Sequence, residues 1–210
     1  MTDAIAVRPL TREALDTAAD SLVDSFLDDP MVEWVFPDPS SRAQKLRVLQ
    51  RIPLAFGLGT GLHVTQTDGG RGVAIWLGPG QTMSPVGLAR YGMLAAPFKV
   101  GLGPVKRFGG ANGAMAPVHK QAMAGQPHWQ LLIVGVDPDL QGQGRGAALV
   151  RDGLKRADQQ GLPCYLDTSK RANIGFYEHL GFVVVDEVPL GKGGPPAWGM
   201  RREPQPVPHA

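Results

Sequence analysis

The stretch DPDLQGQGRGA, Asp137 to Ala147, lies between an apolar run, Trp129 to Val136, and a segment with Ala147, Val150, Leu154 and Ala157 at helical spacing. The periods predict a buried strand, a glycine-rich turn and an amphipathic helix, in that order. Glycines at the mouth of a helix let the backbone approach a ligand closely. The unpaired N–H groups of the first turn and the helix dipole favour an anion there. A pyrophosphate suits such a turn, and Arg145 adds a cation to it.

Two motifs fit these residues. Gly142, Gly144 and Ala147 satisfy the dinucleotide fingerprint G-x-G-x-x-G/A, with Asp167 at the end of the next strand. That fingerprint needs the strand to run directly into the first glycine, whereas five residues, Asp137 to Gln141, intervene here. Too little chain follows for a doubly wound sheet, and the residues before Trp129 read as antiparallel. The second motif is Q/R-x-x-G-x-G/A, met by Gln141, Gly144 and Gly146. With it comes a later run, NIGFYEHLGF, Asn173 to Phe182. Across these two runs the chain resembles the GNAT superfamily of acetyl-CoA-dependent N-acetyltransferases. Its style in HWQLLIVGVDPDLQGQGRG, PCYLDTS, GVAIW and PAWGMRR is similar to puromycin N-acetyltransferase and its relatives.

The resemblance implies a mixed α/β fold whose mostly antiparallel central sheet has splayed middle strands, flanked by helices. It implies acetyl-CoA as co-substrate and direct attack by a small-molecule amine, with an aminonucleoside antibiotic or a polyamine in view. In that pattern the amides of Gln141, Gly142, Gln143, Gly144, Arg145 and Gly146 hold the pyrophosphate. Val134, Gly135 and Val136 pair with pantetheine and offer an N–H to the oxyanion, and Tyr177 is the general acid. Asn173 lies one turn before Tyr177 and shares its helix face, which suits the coenzyme. The alternatives are a peptide or protein amine as acceptor, or a coenzyme-binding regulatory module without turnover.

The base is open between Asp167, which closes a strand beside the expected cleft, His128, whose reference pKa suits proton removal, and a water chain in place of either. Asp167 ahead of Thr168 and Ser169 also fits a turn or cap. Asp29, Glu33 and Trp34, in a proline-containing loop from 28 to 40, are candidates for meeting a cationic acceptor, with simple solvation as the alternative for the acids. Trp76 is a candidate for the acceptor pocket, with core filling the plainer reading.

The rest of the chain sets bounds. Its 210 residues suit one domain, expected over 1–202, with 203–210 as a disordered tail. A formal net charge of +2 gives no footprint for nucleic acid. One cysteine, Cys164, excludes an internal disulfide, and the histidines show no metal-ligand spacing, so no metal is expected. No apolar run approaches the ~20 residues of a membrane span, and no signal peptide opens the chain, so a cytoplasmic protein, monomer or homodimer, is expected. A helix after Thr11, another over 41–56, a hairpin over 63–77 and a vague, glycine-rich region over 78–128 complete the reading.

Overall fold

The computed structural model describes residues 5–206. The first helix, α1 (Leu15–Phe26), leads to α2 (Pro30–Val35) and the long α3 (Pro39–Thr60). The sequence reads 28–40 as a loop because of its prolines; the structure puts two of them to the opposite use. Pro30 and Pro39 each open a helix, where a fixed φ helps and a missing N–H costs nothing. Asp29 and Asp38 cap them, accepting from Met31 N at 2.9 Å and Ser40 N at 3.1 Å. The region 78–128 resolves chiefly into α4 (Pro85–Arg90), α5 (Ala96–Val100) and α6 (Leu102–Met123), the last far longer than its periodic stretch in the sequence.

Seven strands form one sheet in the order β1-β2-β3-β4-β5-β7-β6. They are β1 (Arg8–Pro9), β2 (His63–Thr67), β3 (Gly72–Leu77), β4 (Trp129–Val136), β5 (Cys164–Thr168), β6 (Val183–Pro189) and β7 (Pro196–Arg202). All neighbours are antiparallel except β4 and β5. Between the latter run α7 (Arg145–Gln159) and the preceding turn; α8 (Ala172–Glu178) follows β5. This is the mixed, mostly antiparallel sheet expected from the sequence.

Every residue of β3 is buried, because both faces of the strand are covered. Val73 and Ile75 pack with Ala18 and Leu22 of α1, while Ala74 and Trp76 pack with Leu149 and Leu154 of α7. Trp76 is fully buried, its indole laid against Gly153 where a Cβ would collide with the ring. The expectation that Trp76 faces an acceptor is therefore corrected: α7 has no room for any other use of that ring.

Two features open the middle of the sheet. β4 and β5 pair only at Trp129↔Cys164, Gln130↔Tyr165 and Leu131↔Leu166, and then part. Opposite β3, the register jumps from Trp76↔Leu131 to Ile75↔Ile133, so Leu132 is an inserted residue. Such a bulge bends its strand, and it sits where the two strands begin to separate. Gly135, farther along, lets α1 lie close, since a Cβ there would strike Ser25 and Leu22.

At the other end, the expected tail is partly ordered. Gln205 N donates to Asp158 Oδ1 at 2.8 Å, and Arg202 grips the same carboxylate with bonds of 2.7 and 2.9 Å. Residues 207–210 of that expected tail lie outside the described ones.

Candidate active site

A cavity of about 870 Å³ occupies the wedge between β4 and β5 and continues under α1, α2, α3 and α6. The outer part of β4 supplies Val134, Gly135 and Val136 to its wall. None of these pairs with β5, so on that side the main chain of β4 faces the opening. The glycine-rich turn borders it. Gly142 and Gly144 hold φ of +70° and +85°, a region that side chains rarely adopt, and Gly144 caps α7. The N–H groups of the first turn of α7 thereby remain free of intrahelical partners.

Side chains in the turn are tied down. Gln141 Nε2 donates to Val136 O at 2.9 Å, and Gln143 Nε2 donates to Asp139 O at 3.2 Å. Arg145 lines the cavity but is claimed by Asp68 at 2.7 Å and by Gln143 Oε1 at 2.7 Å. The Arg145 hydrogen bond holds the Asp68 carboxyl below the usual range. The cation expected for a pyrophosphate is thus shared with a carboxylate. Main-chain amides remain the stronger anion donors of this turn.

Asn173 and Tyr177, one turn apart on α8, both line the cavity. Tyr177 is nearly buried, its ring edge-on to Phe176 and Phe182 at centroid distances of 5.0 and 6.0 Å. Burial, with a smaller contribution from the Asp29 charge, pushes its phenol up, so the hydroxyl keeps its proton at neutral pH. Packing among aromatics and a place on the cavity are therefore both true of Tyr177.

Asp167 lies across the sheet from Tyr177. Residues alternate along β5, so Cys164, Leu166 and Thr168 turn towards α7 and α8, and Tyr165 and Asp167 towards α6. Asp167 is the one exposed residue of β5, and its exposed face opens onto the cavity. Desolvation raises its carboxyl to about 6, opposed by a hydrogen bond from Tyr165. The Tyr165 hydroxyl donates to Asp167 Oδ1 at 2.5 Å. It can reach because position 199 is glycine; a Cβ there would lie 2.7 Å from the hydroxyl.

His128 lies outside this cavity, which corrects its candidacy as a base. Its Nδ1 donates to the Gln126 carbonyl at 2.7 Å, so in the neutral ring Nε2 accepts, and the Nε2 of His119 donates to it at 2.7 Å. His119 in turn stacks on Tyr165 at 4.3 Å with planes 13° apart. His128 braces His119, which backs the tyrosine that holds Asp167. The sequence reading missed Tyr165 and His119. The alternation in CYLDT signals that Tyr165 and Asp167 share a face, but nothing in the sequence places His119 of α6 beside them.

Of the three candidates between residues 28 and 40, only Asp29 lines the cavity. It is buried, and its Oδ1 accepts from Ser169 Oγ at 2.6 Å in addition to capping α2. Glu33 is exposed and paired with Arg42 at 3.2 Å. Trp34 packs against Gly191 and Gly194 in the loop between β6 and β7. Their expected contact with an acceptor is corrected: the short helix α2 turns Asp29 inward and carries Glu33 and Trp34 out of the cavity. Cys164 is buried, with its thiol pushed up to about 12 by desolvation, which leaves it inert as a nucleophile. Among the described residues no group of three or more His, Cys, Asp or Glu is placed to hold a metal, and no helix is long and apolar enough to cross a membrane.

Residues 100–182 match the model of the acetyltransferase (GNAT) family. An uncharacterised N-acetyltransferase of Schizosaccharomyces pombe is 31% identical over 199 residues, covering 90% of this chain and 79% of that protein. A mycothiol acetyltransferase of Nocardiopsis dassonvillei is 42% identical over 65 residues, 30% of this chain and 20% of its own length. Among solved structures, one described as histone acetyltransferase HPA2 and related acetyltransferase from Corynebacterium glutamicum has a TM-score of 0.66 at 24% identity. It covers 98% of this chain and 99% of that one, a likeness of fold.

Proposed function

The chain belongs to the GNAT family of acetyltransferases, and on that premise we propose that it moves the acetyl group of acetyl-CoA to the primary amine of a small molecule in a ternary complex. The observation that carries this reading is the parting of β4 from β5 beyond Leu131, with Asp167 on one side of the gap and Tyr177 on the other. The residues fit the coenzyme. Free amides of the turn from Gly142 to Gly144 and of the first turn of α7 suit its pyrophosphate, while the Gln141 amide is taken by Pro138 O at 3.2 Å; Asn173 lines the same cavity. The unpaired edge of β4 at Val134, Gly135 and Val136 suits the amides of an extended pantetheine arm. When bound, acetyl-CoA supplies the acetyl group as a thioester, whose C–S bond breaks as the amine forms its new C–N bond.

The remaining work falls to protein groups. Asp167 removes the proton of the ammonium, using the oxygen that Tyr165 leaves free, and so delivers a neutral amine with an available lone pair. The amides of β4 stabilise the charge that builds on the carbonyl oxygen. Tyr177 gives its hydroxyl proton to the departing sulfur, and the second proton, shed by the nitrogen as the amide forms, restores the phenol. With reference values of about 10 for a phenol and 8.5 for a thiol, that donation is uphill by about 2 kcal/mol before the environment acts. The likeness of the motif runs to the puromycin N-acetyltransferase group supports a small-molecule acceptor over a protein one.

Calorimetry with acetyl-CoA, followed by detection of freed thiol over a panel of amines, tests the proposal. Binding with amine-dependent thiol release is expected. Binding without release from any amine would favour a coenzyme-binding module, and absence of binding at millimolar coenzyme would remove the proposal.

A further inference from the structure

Away from the glycine-rich turn, the cavity becomes a chamber walled by α1, α2, α3 and α6, and the chemistry of that wall is one-sided. Phe36, Leu49, Ile52, Phe108 and Leu190 contribute apolar surface to it. Four of the seven methionines, Met31, Met83, Met93 and Met115, line the cavity. Methionine walls adapt to ligands of varied outline, because the side chain is flexible and polarizable. Neutral polar groups on this side include Gln50 and Asn112.

Charge is confined to one end. Of the cavity's charged side chains, Arg145 and Lys170 belong to the elements beside the coenzyme turn and α8, which leaves Asp29 and Asp167 facing the acceptor. Neither α3 nor α6 contributes a lysine or arginine to the wall: Arg42 and Arg107 are turned to main-chain carbonyls, at Phe36 and at Trp34 and Val35. A substrate with a second cation far from its reacting amine would find no carboxylate along the wall, and an acidic substrate no cation. Either would lose solvation without a partner.

We infer that the acceptor is a primary amine with a single positive charge on an aromatic or alkyl body, its ammonium held at Asp29 and Asp167 and its body against the methionine-lined wall. This rests on the acetyltransferase reading and narrows it. A polyamine, within the class expected from the sequence, does not match this chamber.

A homologous series of n-alkylamines from ethyl to octyl, with the whole protein and saturating acetyl-CoA, gives a direct test by thiol release. Each methylene buried in the chamber is expected to raise kcat/KM about fourfold until the wall is filled. Phenethylamine should exceed spermidine by at least about tenfold on the same reasoning. A second measurement does not need turnover: calorimetry of phenethylamine and spermidine on the protein saturated with CoA should show tighter binding of phenethylamine. Met115→Trp, which narrows the chamber, should raise KM for hexylamine with the acetyl-CoA Kd unchanged. A series flat or falling with chain length, or spermidine bound or used at least as well as phenethylamine, would overturn the inference while leaving acetyl transfer intact. Failure of acetyl-CoA to bind would overturn both.

Discussion

Tyr165 and Asp167, two residues apart on β5, are joined by a hydrogen bond of 2.5 Å from the tyrosine hydroxyl to the carboxylate. The bond favours the charged form of Asp167, while the surrounding protein favours the neutral one and wins, leaving the carboxyl at about 6. If Asp167 is the base, kcat/KM should climb about tenfold per pH unit below that value and level off above it. Tyr165→Phe removes the opposing contribution, so the midpoint of the same profile should move to higher pH. A profile whose midpoint stays in place would assign the titration to another group.

Asp167→Asn should lower kcat by about 10²- to 10⁴-fold. Stability should move the other way. A carboxyl raised in the folded state favours folding most below its unfolded value near 3.8, and that contribution is lost as pH rises through about 6. The variant escapes this loss, so its thermal midpoint should exceed that of the parent at pH 8 and match it at pH 4. Melting curves at the two pH values decide the point.

Tyr177→Phe keeps the ring that packs on Phe176 and Phe182 and removes only the proton. Turnover should fall by about 10²-fold, with the Kd for acetyl-CoA unchanged by calorimetry. Equal losses in affinity and turnover would instead make Tyr177 a binding residue.

Gly153→Ala forces a methyl group into the indole of Trp76, between α7 and the sheet. Overpacking of this kind costs about 1–3 kcal/mol, which urea denaturation should register. Trp76 fluorescence should shift as the ring yields, because that indole is fully buried in the parent.

Arg202 is almost fully buried and bonded twice to Asp158. Arg202→Met leaves that carboxylate without its cation and should destabilise the fold by about 3–5 kcal/mol. Adding Asp158→Asn should recover part of the loss, as a double-mutant cycle would show.

The last two fifths of the chain, from Trp129 onward, are readable because their elements carry their own signals. An apolar run, three glycines at the mouth of a helix and a 3.6-residue period meet in one stretch, and the Asn173–Tyr177 spacing fixes a shared helix face. Around Pro30 and Pro39 the local signal is ambiguous, since a proline that breaks a helix also serves as its first residue once an aspartate precedes it. His128 drew notice as a lone imidazole ahead of the central strand. Its partner, His119, lies nine residues back on a different element, and only tertiary packing shows that the pair props Tyr165 from behind. The acceptor chamber was hidden for a similar reason, because its walls come from four helices whose apolar residues read as ordinary core.

The opening between β4 and β5 gives the sheet a third edge, located in its interior. Without a bound partner, the amides between Leu132 and Val136 that face that margin should exchange with solvent deuterium more readily than those of β3, which is paired on both sides. On the proposed reading a pantetheine arm would serve as a surrogate strand, and its arrival should slow exchange along this margin first. Coenzyme occupancy would then become a part of the protein's folding free energy, rising with the logarithm of coenzyme concentration.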